Sequence, residues 1–211
     1  MTAVCPPPAG ASAPRPYHHG DLAATLLDAG EAELIEKGIE GFSLRGVAKR
    51  AGVSHAAPAH HFGDADGLLT ALAACGFERF AARQAEFRRR ARREPREQLV
   101  ASGLGYVAFA VENPALFRLM FGSRRPDFDS PQLGLAARAS FDDLVHHVAQ
   151  ASGNPACPMK NRSALADVAT AWGLAHGLAD LLAAGRLPSL GDLPPRARER
   201  TIATILSRSL P

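Results

Sequence analysis

The chain is 211 residues long, with 46% hydrophobic and 21% charged residues, which is ordinary for one or two globular domains that bury a core. The net charge of +3 permits a nucleic-acid partner without demanding one, because a basic face can lie within a nearly neutral total. The three cysteines form no CxxC pair, which argues against a disulfide framework or a structural zinc site, so neither a metal nor a cofactor is predicted.

Residues 1–16, MTAVCPPPAGASAPRP, are rich in proline and alanine and show no hydrophobic periodicity. They lack the basic start and apolar core of a secretory signal, and no apolar run in the chain reaches transmembrane length. We therefore predict a disordered tail over 1–16, no membrane partner, and a location in the reducing cytoplasm.

The first helical pattern runs over Asp21–Lys37 and is ended by Gly38. The following stretch, FSLRGVAKRAGVSHAAPAHHF at Phe42–Phe62, predicts two short helices joined by a tight turn.

Four residues define the ends of the two short helices. Ser43 places a side-chain oxygen before the first and is predicted to be its N-cap. Gly52 suits the left-handed residue that ends this helix. Ser54 is predicted to cap the second helix, and Pro58 lies in its first turn, where a missing N–H costs least.

The surface of this two-helix unit is polar and basic. Ala56 and Ala57 keep the second helix slim, and the DNA major groove admits a helix with its N-terminal residues at the base edges. Such a hairpin also occurs without any nucleic-acid role, but the surrounding cationic and titratable side chains favour DNA binding. They are Arg45, Lys49 and Arg50 on the solvent side of the first helix and His55, His60 and His61 on the second.

Beyond this unit the patterns remain helical. A long helix is predicted from Ala65 to about Arg93, capped by Asp64, with its basic end at Arg88–Arg93 as a solvated face that favours the helix dipole. Pro95 breaks the chain before a second set of helices. These are predicted at about 97–111, 114–121, 131–148, 162–184 and 194–209, and the fold class is therefore all-α.

The helix predicted at 162–184 is apolar on two sides. One side can pack on its own domain, whereas the other needs a further helix or a second subunit. Gly173 and Gly177, one turn apart, would let another backbone approach closely. One face carries Leu165, Val168, Ala169, Trp172, His176 and Ala179, the other carries Leu174, Leu178 and Leu181, and the final helix has a stripe of Ile202, Ile205 and Leu206.

Aromatic and apolar residues of the second set of helices are candidates for lining a cavity that takes a hydrophobic small molecule. For each of them the alternative is a place in the plain core, and for the histidine it is a satisfied buried imidazole. The candidates are Phe109, Phe117, Met120, Phe121, Phe141, Trp172 and His176.

The run from Tyr17 to Phe80 resembles the N-terminal DNA-binding domain of TetR-family transcriptional regulators in length and order. The later words ENPALFRLMF and AWGLAHGLADLL are similar to a C-terminal ligand domain in one branch of that family, named for its Trp-His-Gly signature. The resemblance implies a three-helix helix-turn-helix domain over 17–64. It implies a helical-bundle domain for ligand binding and dimerisation over 65–211.

The resemblance also implies a function. A protein of this family would be a ligand-responsive repressor that binds a palindromic operator as a homodimer and is released by a small hydrophobic effector. In the family the last two helices pair with their copies, which implies a dimer interface at Leu174, Leu178, Leu181, Ile202, Ile205 and Leu206. The implied DNA contacts are Ser43, Arg45, Ser54, His55, Ala56, Ala57, Ala59, His60 and His61.

Two positions depart from the family pattern. Ala59 stands where a tyrosine is usual and Ala65 where a lysine is usual, and in the family both positions commonly touch DNA phosphates. Losing a phosphate contact weakens binding to all sequences alike. An alternative function is therefore that of a family member with weakened or lost DNA binding.

Two other function classes have weaker support in the sequence. A metal-responsive regulator could use His55, His60 and His61 or the pair His146 and His147, although no cysteine lies close in sequence to complete a ligand set. An enzyme is not predicted, because the chain has no GxSxG elbow, P-loop or dinucleotide fingerprint.

Overall fold

The computed structural model describes residues 22–154 and 160–209, which contain ten α-helices and no strand. The all-α prediction is confirmed, whereas the predicted tail at 1–16 lies outside the described residues. The helices are α1 Leu22–Lys37, α2 Leu44–Ala51, α3 Ala57–Phe62, α4 Ala65–Arg90, α5 Pro95–Glu112, α6 Pro114–Gly122, α7 Pro131–Ser152, α8 Arg162–Ala183, α9 Pro188–Gly191 and α10 Pro195–Ser209.

By contacts the chain divides into two units. The first consists of the chain up to Glu78 together with Ala115–Leu135, and the second of Arg79–Pro114 together with the chain from Ala136 onward. The division falls inside α4, because one continuous helix contributes its first half to one unit and its second half to the other. The domain ranges 17–64 and 65–211 stay a prediction.

The core of the first unit forms where α1 packs on α4. A Cβ atom added to Gly30 would lie 3.3 Å from Leu72 Cδ1, so the two helices approach closely at this point. Leu26, Val47 and Leu68 of the same unit are fully buried. Each burial contributes about 1.5–3 kcal/mol of hydrophobic stabilisation. The apolar spacing of α1 and α2 predicted the two helices but not these contacts.

The core of the second unit is built on α5. The ring of Phe80 on α4 packs edge-on against Tyr106 and Phe109, with centroid separations of 4.8 and 5.4 Å. A Cβ atom added to Gly105 would lie 2.6 Å from the Cα atom of Gln84, so α4 and α5 meet backbone to backbone. Among the described residues no single helix is long and apolar enough to cross a membrane, although α5 and α6 taken together pass on length and composition.

The basic end of α4 differs from the prediction. The helix ends at Arg90 rather than near Arg93. Arg88 is not part of a solvated face, because its side chain is only 16% exposed and its guanidinium donates to Ser102 Oγ at 3.0 Å and to Asp143 Oδ2 at 2.8 Å. One arginine of the run therefore ties α4 to α5 and α7.

Candidate nucleic-acid interface

The turn between α2 and α3 has the geometry that the sequence predicted. Ser43 is the N-cap of α2, and its Oγ accepts a hydrogen bond from Gly46 N at 3.1 Å. Gly52 ends the helix with φ of 67°, in the left-handed region where glycine is favoured. Val53 N then donates to Ala48 O at 3.1 Å, which completes the reversal of the chain.

The start of α3 corrects one prediction. Ala56, not Ser54, is the N-cap of α3, and it makes no side-chain cap. Ser54 takes part through its backbone, since its carbonyl accepts from Ala57 N at 3.1 Å in a tight turn. Pro58 lies at the predicted place in the first turn and is the buried residue of the helix. The proline and the turn supply what a side-chain cap would otherwise provide.

Eight of the nine predicted DNA-contact residues are exposed. The exception is Ala57, which is half-buried at the first position of α3. The imidazole rings of His60 and His61 lie edge to face with centroids 5.7 Å apart. The helix therefore presents two imidazoles and short side chains outward, as a groove-reading helix requires. The exposed residues are Ser43, Arg45, Ser54, His55, Ala56, Ala59, His60 and His61.

Arg50 does not line the solvent side of α2 as a free cation. Its Nε donates to Glu33 Oε2 at 2.6 Å, and its Nη2 pairs with Glu36. Side-chain hydrogen bonds from Lys37 and then Arg50 lower the pKa of Glu36 to about 2. In the described part of the chain, the exposed cations of α2 without an ion pair are Arg45 and Lys49.

The same ion pair explains a glycine inside α2. The carboxylate of Glu33, which is 4% exposed, occupies the place where a Cβ atom of Gly46 would lie. Any side chain at residue 46 would push this carboxylate away from Arg50. Gly46 thus permits α1 and α2 to approach closely enough for the pair to form. A glycine within a helix, one turn before an arginine, is a signal that the sequence contains. The sequence does not reveal that Glu33 is the partner of this arginine.

The start of α4 agrees with the prediction. Asp64 Oδ1 accepts a hydrogen bond from Gly67 N at 2.8 Å, which satisfies one of the free N–H groups of the first turn. Ala65, the first residue of α4, is half-buried.

A polar cluster lies among the aromatic residues of the second unit. The Tyr106 hydroxyl lies 2.8 Å from His176 Nδ1 and accepts a hydrogen bond from Trp172 Nε1 at 3.3 Å. Phe141 packs edge-on against Trp172 at 6.1 Å between centroids. Burial raises the pKa of Tyr106 well above its ordinary value. Tyr106 is not among the candidates predicted from the sequence, although a phenol in a core requires a polar partner.

The seven predicted ligand residues are distributed over both units. Phe109, Phe141, Trp172 and His176 belong to the second, and the three residues from α6 belong to the first. Phe141 and Trp172 are 38% and 40% exposed, so they offer surface to a ligand. Phe109, Phe117 and Met120 are buried, and Phe121 is half-buried. None of the seven residues lines the shallow crevice between α7 and α8. That crevice is lined by Val145, Val148, Ala149, Ser152, Asn154, Ala164, Asp167 and Val168.

The predicted dimer residues also differ in exposure. Ile202 and Leu206 are buried inside their own unit, and Leu206 packs against Gly103 of α5, so these two side chains offer no surface to a second copy in this conformation. Leu178 is buried, Leu174 and Ile205 are half-buried, and Leu181 is 37% exposed. Leu165 and Trp172 are exposed along one edge of α8, and Leu181 is exposed about half a turn away along the opposite edge, with open space at Gly173 and Gly177 between the two edges.

The candidate histidines do not form a metal centre in the part of the chain that the structure describes. No group of three or more His, Cys, Asp or Glu residues there is arranged to hold an ion. His147 instead lies 3.5 Å from Asp143.

These features define a protein with a helix-turn-helix unit and a second, helical unit. Comparison with known proteins agrees with this arrangement. Residues 26–72 match the model for bacterial regulatory proteins of the tetR family, and residues 99–205 match that for a tetracyclin repressor-like C-terminal domain. The chain therefore belongs to the TetR family of transcriptional regulators. The branch with the Trp-His-Gly signature stays a prediction.

Individual relatives are similar over parts of the chain. The HTH-type transcriptional regulator BetI of Burkholderia ambifaria is 38% identical over 78 residues, 37% of this chain and 40% of that protein. The regulator Rv1816 of Mycobacterium tuberculosis is 27% identical over 139 residues, 61% of this chain and 58% of that protein. The chain thus spans about two fifths to three fifths of these relatives.

Solved structures extend the similarity to most of the chain. A protein of unknown function from Rhodococcus sp. RHA1 is 35% identical with a TM-score of 0.72, covering 93% of this chain and 99% of that one. A TetR family transcription regulator from Marinobacter aquaeolei VT8 is 17% identical with a TM-score of 0.65, covering 88% and 93%. The second similarity concerns the fold alone.

Proposed function

We propose that this protein is a ligand-responsive repressor that binds a palindromic operator as a homodimer and leaves it when a small hydrophobic effector binds. The observation that carries this proposal is α3, a slender helix whose histidines are exposed and which is held by a capped, glycine-ended α2. Two such helices about 34–36 Å apart would meet successive major grooves on one side of DNA.

The effector part of the proposal draws on the aromatic residues of the second unit. Trp172 and Phe141 offer apolar surface, and the Tyr106–His176 pair supplies a polar group beside it. A hydrophobic molecule with one hydrogen-bonding group matches this chemistry. An effector that prefers a spacing of the two DNA-reading helices different from that of the operator lowers DNA affinity by its differential binding to the two states.

The dimer part draws on the exposed apolar side of α8. Leu181 is exposed beside the half-buried Leu174 on one side of α8, and apolar surface left uncovered in this way marks a protein interface. Open space at Gly173 and Gly177 would let the same helix of a second copy lie close. A closed pair formed through one shared patch is the commonest protein assembly.

The experiment that tests this function is selection of bound duplexes from a random DNA pool with the purified chain. We expect inverted half-sites whose centres are about 10 base pairs, or a multiple of that distance, apart. His55→Ala and His60→Ala should each weaken binding to the selected duplex, because both imidazoles are exposed beside or on α3. His146→Ala is the matched control, since this exposed histidine lies on α7. Recovery of no enriched sequence, or equal losses for all three variants, would contradict the proposal.

A further inference from the structure

The loop between α6 and α7 belongs to the first unit although it lies some sixty residues beyond the helix-turn-helix. The helix before it packs on the first half of α4. A Cβ atom at Gly76 would lie 2.6 Å from Met120 Sδ, and the rings of Phe77 and Phe121 meet edge-on at 5.4 Å. The chain therefore leaves α6 in contact with the helix that carries the DNA-binding unit.

Arg125 then joins two separate places in that unit. Its Nε and Nη2 atoms lie 2.6 Å from Asp66 Oδ1, in the first turn of α4. Its Nη1 donates to the carbonyl of Ile39 at 2.7 Å, in the turn between α1 and α2. A planar guanidinium can hold two acceptors in fixed directions, which a flexible ammonium cannot.

A second contact holds the loop itself in place. Asp127 N donates to Thr70 Oγ1 at 2.9 Å, one turn further along α4 than Asp66. The Arg125 side chain is 31% exposed, so water screens its ion pair only in part. The loop is thus attached to α4 at two successive turns and to the α1–α2 turn at one point.

These contacts lie at the two ends of one segment. Ile39 precedes α2 and Asp66 follows α3, so residues 40–65 contain the whole two-helix unit. One side chain therefore fixes the separation between the start and the end of the DNA-reading segment. A segment held at both ends loses less conformational freedom when it binds.

We propose that Arg125 is a positioning residue for DNA binding, which acts by holding both ends of the helix-turn-helix segment. The proposal rests on the DNA-binding function proposed above. Arg125 need not touch DNA for this role. Its loss should weaken operator binding without removing a phosphate contact, and the salt dependence of binding should therefore stay the same.

The test compares Arg125→Gln with Arg124→Gln. Arg124 is an exposed neighbour with no hydrogen bond or ion pair in the described part of the chain, so the two variants lose the same charge in the same loop. Affinity for the selected duplex is measured across salt concentrations, after thermal unfolding has shown that both variants are folded. We expect Arg125→Gln to bind about tenfold more weakly with an unchanged salt slope, and Arg124→Gln to change affinity less than about twofold.

Two further variants separate positioning from charge. Arg125→Lys keeps the charge but can hold only one partner well, so it should recover part of the loss. The double variant Asp66→Asn with Arg125→Gln balances the charge without restoring the contact to Ile39, and it should remain weak. Full recovery in the double variant would overturn the proposal, as would equal affinities for the Arg124 and Arg125 variants.

Amide hydrogen exchange gives a readout that does not depend on DNA. Arg125→Gln should speed exchange in α2 and α3 of the free protein, whereas Arg124→Gln should not. Equal exchange in both variants would count against the positioning role. If the wild-type chain binds no duplex, the proposed function is contradicted. The exchange result would still show whether Arg125 holds the ends of the helix-turn-helix segment.

Discussion

Under the proposed function, Ala59 and Ala65 would supply no phosphate contact to DNA. Ala59 is exposed on α3, and Ala65 begins α4. TetR-family proteins commonly carry a tyrosine and a lysine at these positions. The remaining exposed cations of α2 without ion pairs in the described residues, Arg45 and Lys49, leave a small electrostatic contribution to binding. Weak binding with a shallow salt dependence is therefore expected of the wild type.

Restoring the usual residues provides the first prediction. Ala65→Lys should tighten binding to all duplexes and make the slope of log affinity against log salt more negative by roughly 0.9 for each new phosphate contact. Ala59→Tyr should tighten binding through a neutral hydroxyl, with little change in slope. Titrations at several salt concentrations measure both quantities. If the lysine variant has the slope of the wild type, residue 65 does not face DNA.

Asp143 provides a prediction about pH. A side-chain hydrogen bond from His147, and then the nearby guanidinium of Arg88, hold the pKa of this carboxyl below its ordinary value of 3.8. A carboxylate with a lowered folded-state pKa adds stability that is fully present above the unfolded-state value. That stability is lost as the pH falls through the folded-state value.

The measurement is the melting temperature as a function of pH for the wild type and Asp143→Asn. The variant should melt lower at neutral pH, and the two curves should converge only as the pH falls below the lowered folded-state pKa of Asp143, where the wild-type carboxyl is protonated too. Asp142→Asn, on the exposed neighbour, is the control. A constant difference between the curves across this range would contradict the assignment.

Single residues also show where sequence reasoning succeeds. The capping role of Ser43 and the left-handed Gly52 follow from local chemistry, and both predictions are confirmed. The Ser54 prediction is wrong because a turn and Pro58 begin α3 two residues later. The ion pair of Arg50 with Glu33 spans 17 residues, and no local pattern indicates such a partner.

At the scale of elements, α4 and α5 depend on a glycine. A Cβ atom at Gly105 would lie 2.6 Å from Gln84 Cα and 3.0 Å from Arg83 O, which are backbone atoms that cannot turn aside. Gly103, in the same helix, would meet only the tip of Leu206, at 2.9 Å. The two glycines look alike in sequence but differ in what they face.

Gly105→Ala should therefore lower the free energy of unfolding by about 1–3 kcal/mol, because α5 must move away from α4. Gly103→Ala should cost less, since the leucine tip can rotate and alanine favours a helix by about 1 kcal/mol over glycine. Chemical denaturation of both variants measures the difference. Equal losses would show that the close approach of the two helices is not what requires Gly105.

Helix patterns gave the positions of most elements but not their contacts. The apolar spacings of α1, α5 and α8 predicted helices close to the observed bounds. The short α9 was not predicted, since four residues after a proline show no periodicity. The arginine run at the end of α4 was expected to be solvated, and Arg88 is instead held by α5 and α7 because its long side chain reaches buried acceptors.

At the scale of the whole molecule, the side of α8 that carries Leu174 and Leu181 predicts how copies associate. Leu181→Arg places a charge on that side and should shift the protein from dimer to monomer at micromolar concentration. Operator affinity should fall with it, because a single half-site contributes only part of the binding energy. Sedimentation equilibrium and operator titration measure the two effects.

Leu135→Arg is the control for this variant. Leu135 is 69% exposed on α7, so the substitution adds the same charge at another apolar surface position. It should leave the oligomeric state unchanged. A Leu181 variant that remains dimeric would place the interface elsewhere on the chain.

The family and fold class could be predicted from the sequence, because the words that carry them are contiguous, such as the run from Tyr17 to Phe80. The effector site could not be predicted to the same depth. Its candidates come from α5, α6, α7 and α8, and whether each lies in the core or at the surface depends on packing between distant segments. Phe109 is buried and Trp172 is exposed although both were predicted as lining.

Trp172 has a practical consequence. It is the sole tryptophan of the chain, it is 40% exposed, and its indole N–H donates to the Tyr106 hydroxyl. The tryptophan fluorescence of the unlabelled protein therefore comes from one place, beside the effector candidates. Arrival of an effector would shield this indole, so a blue shift of its emission on titration would report binding without a dye.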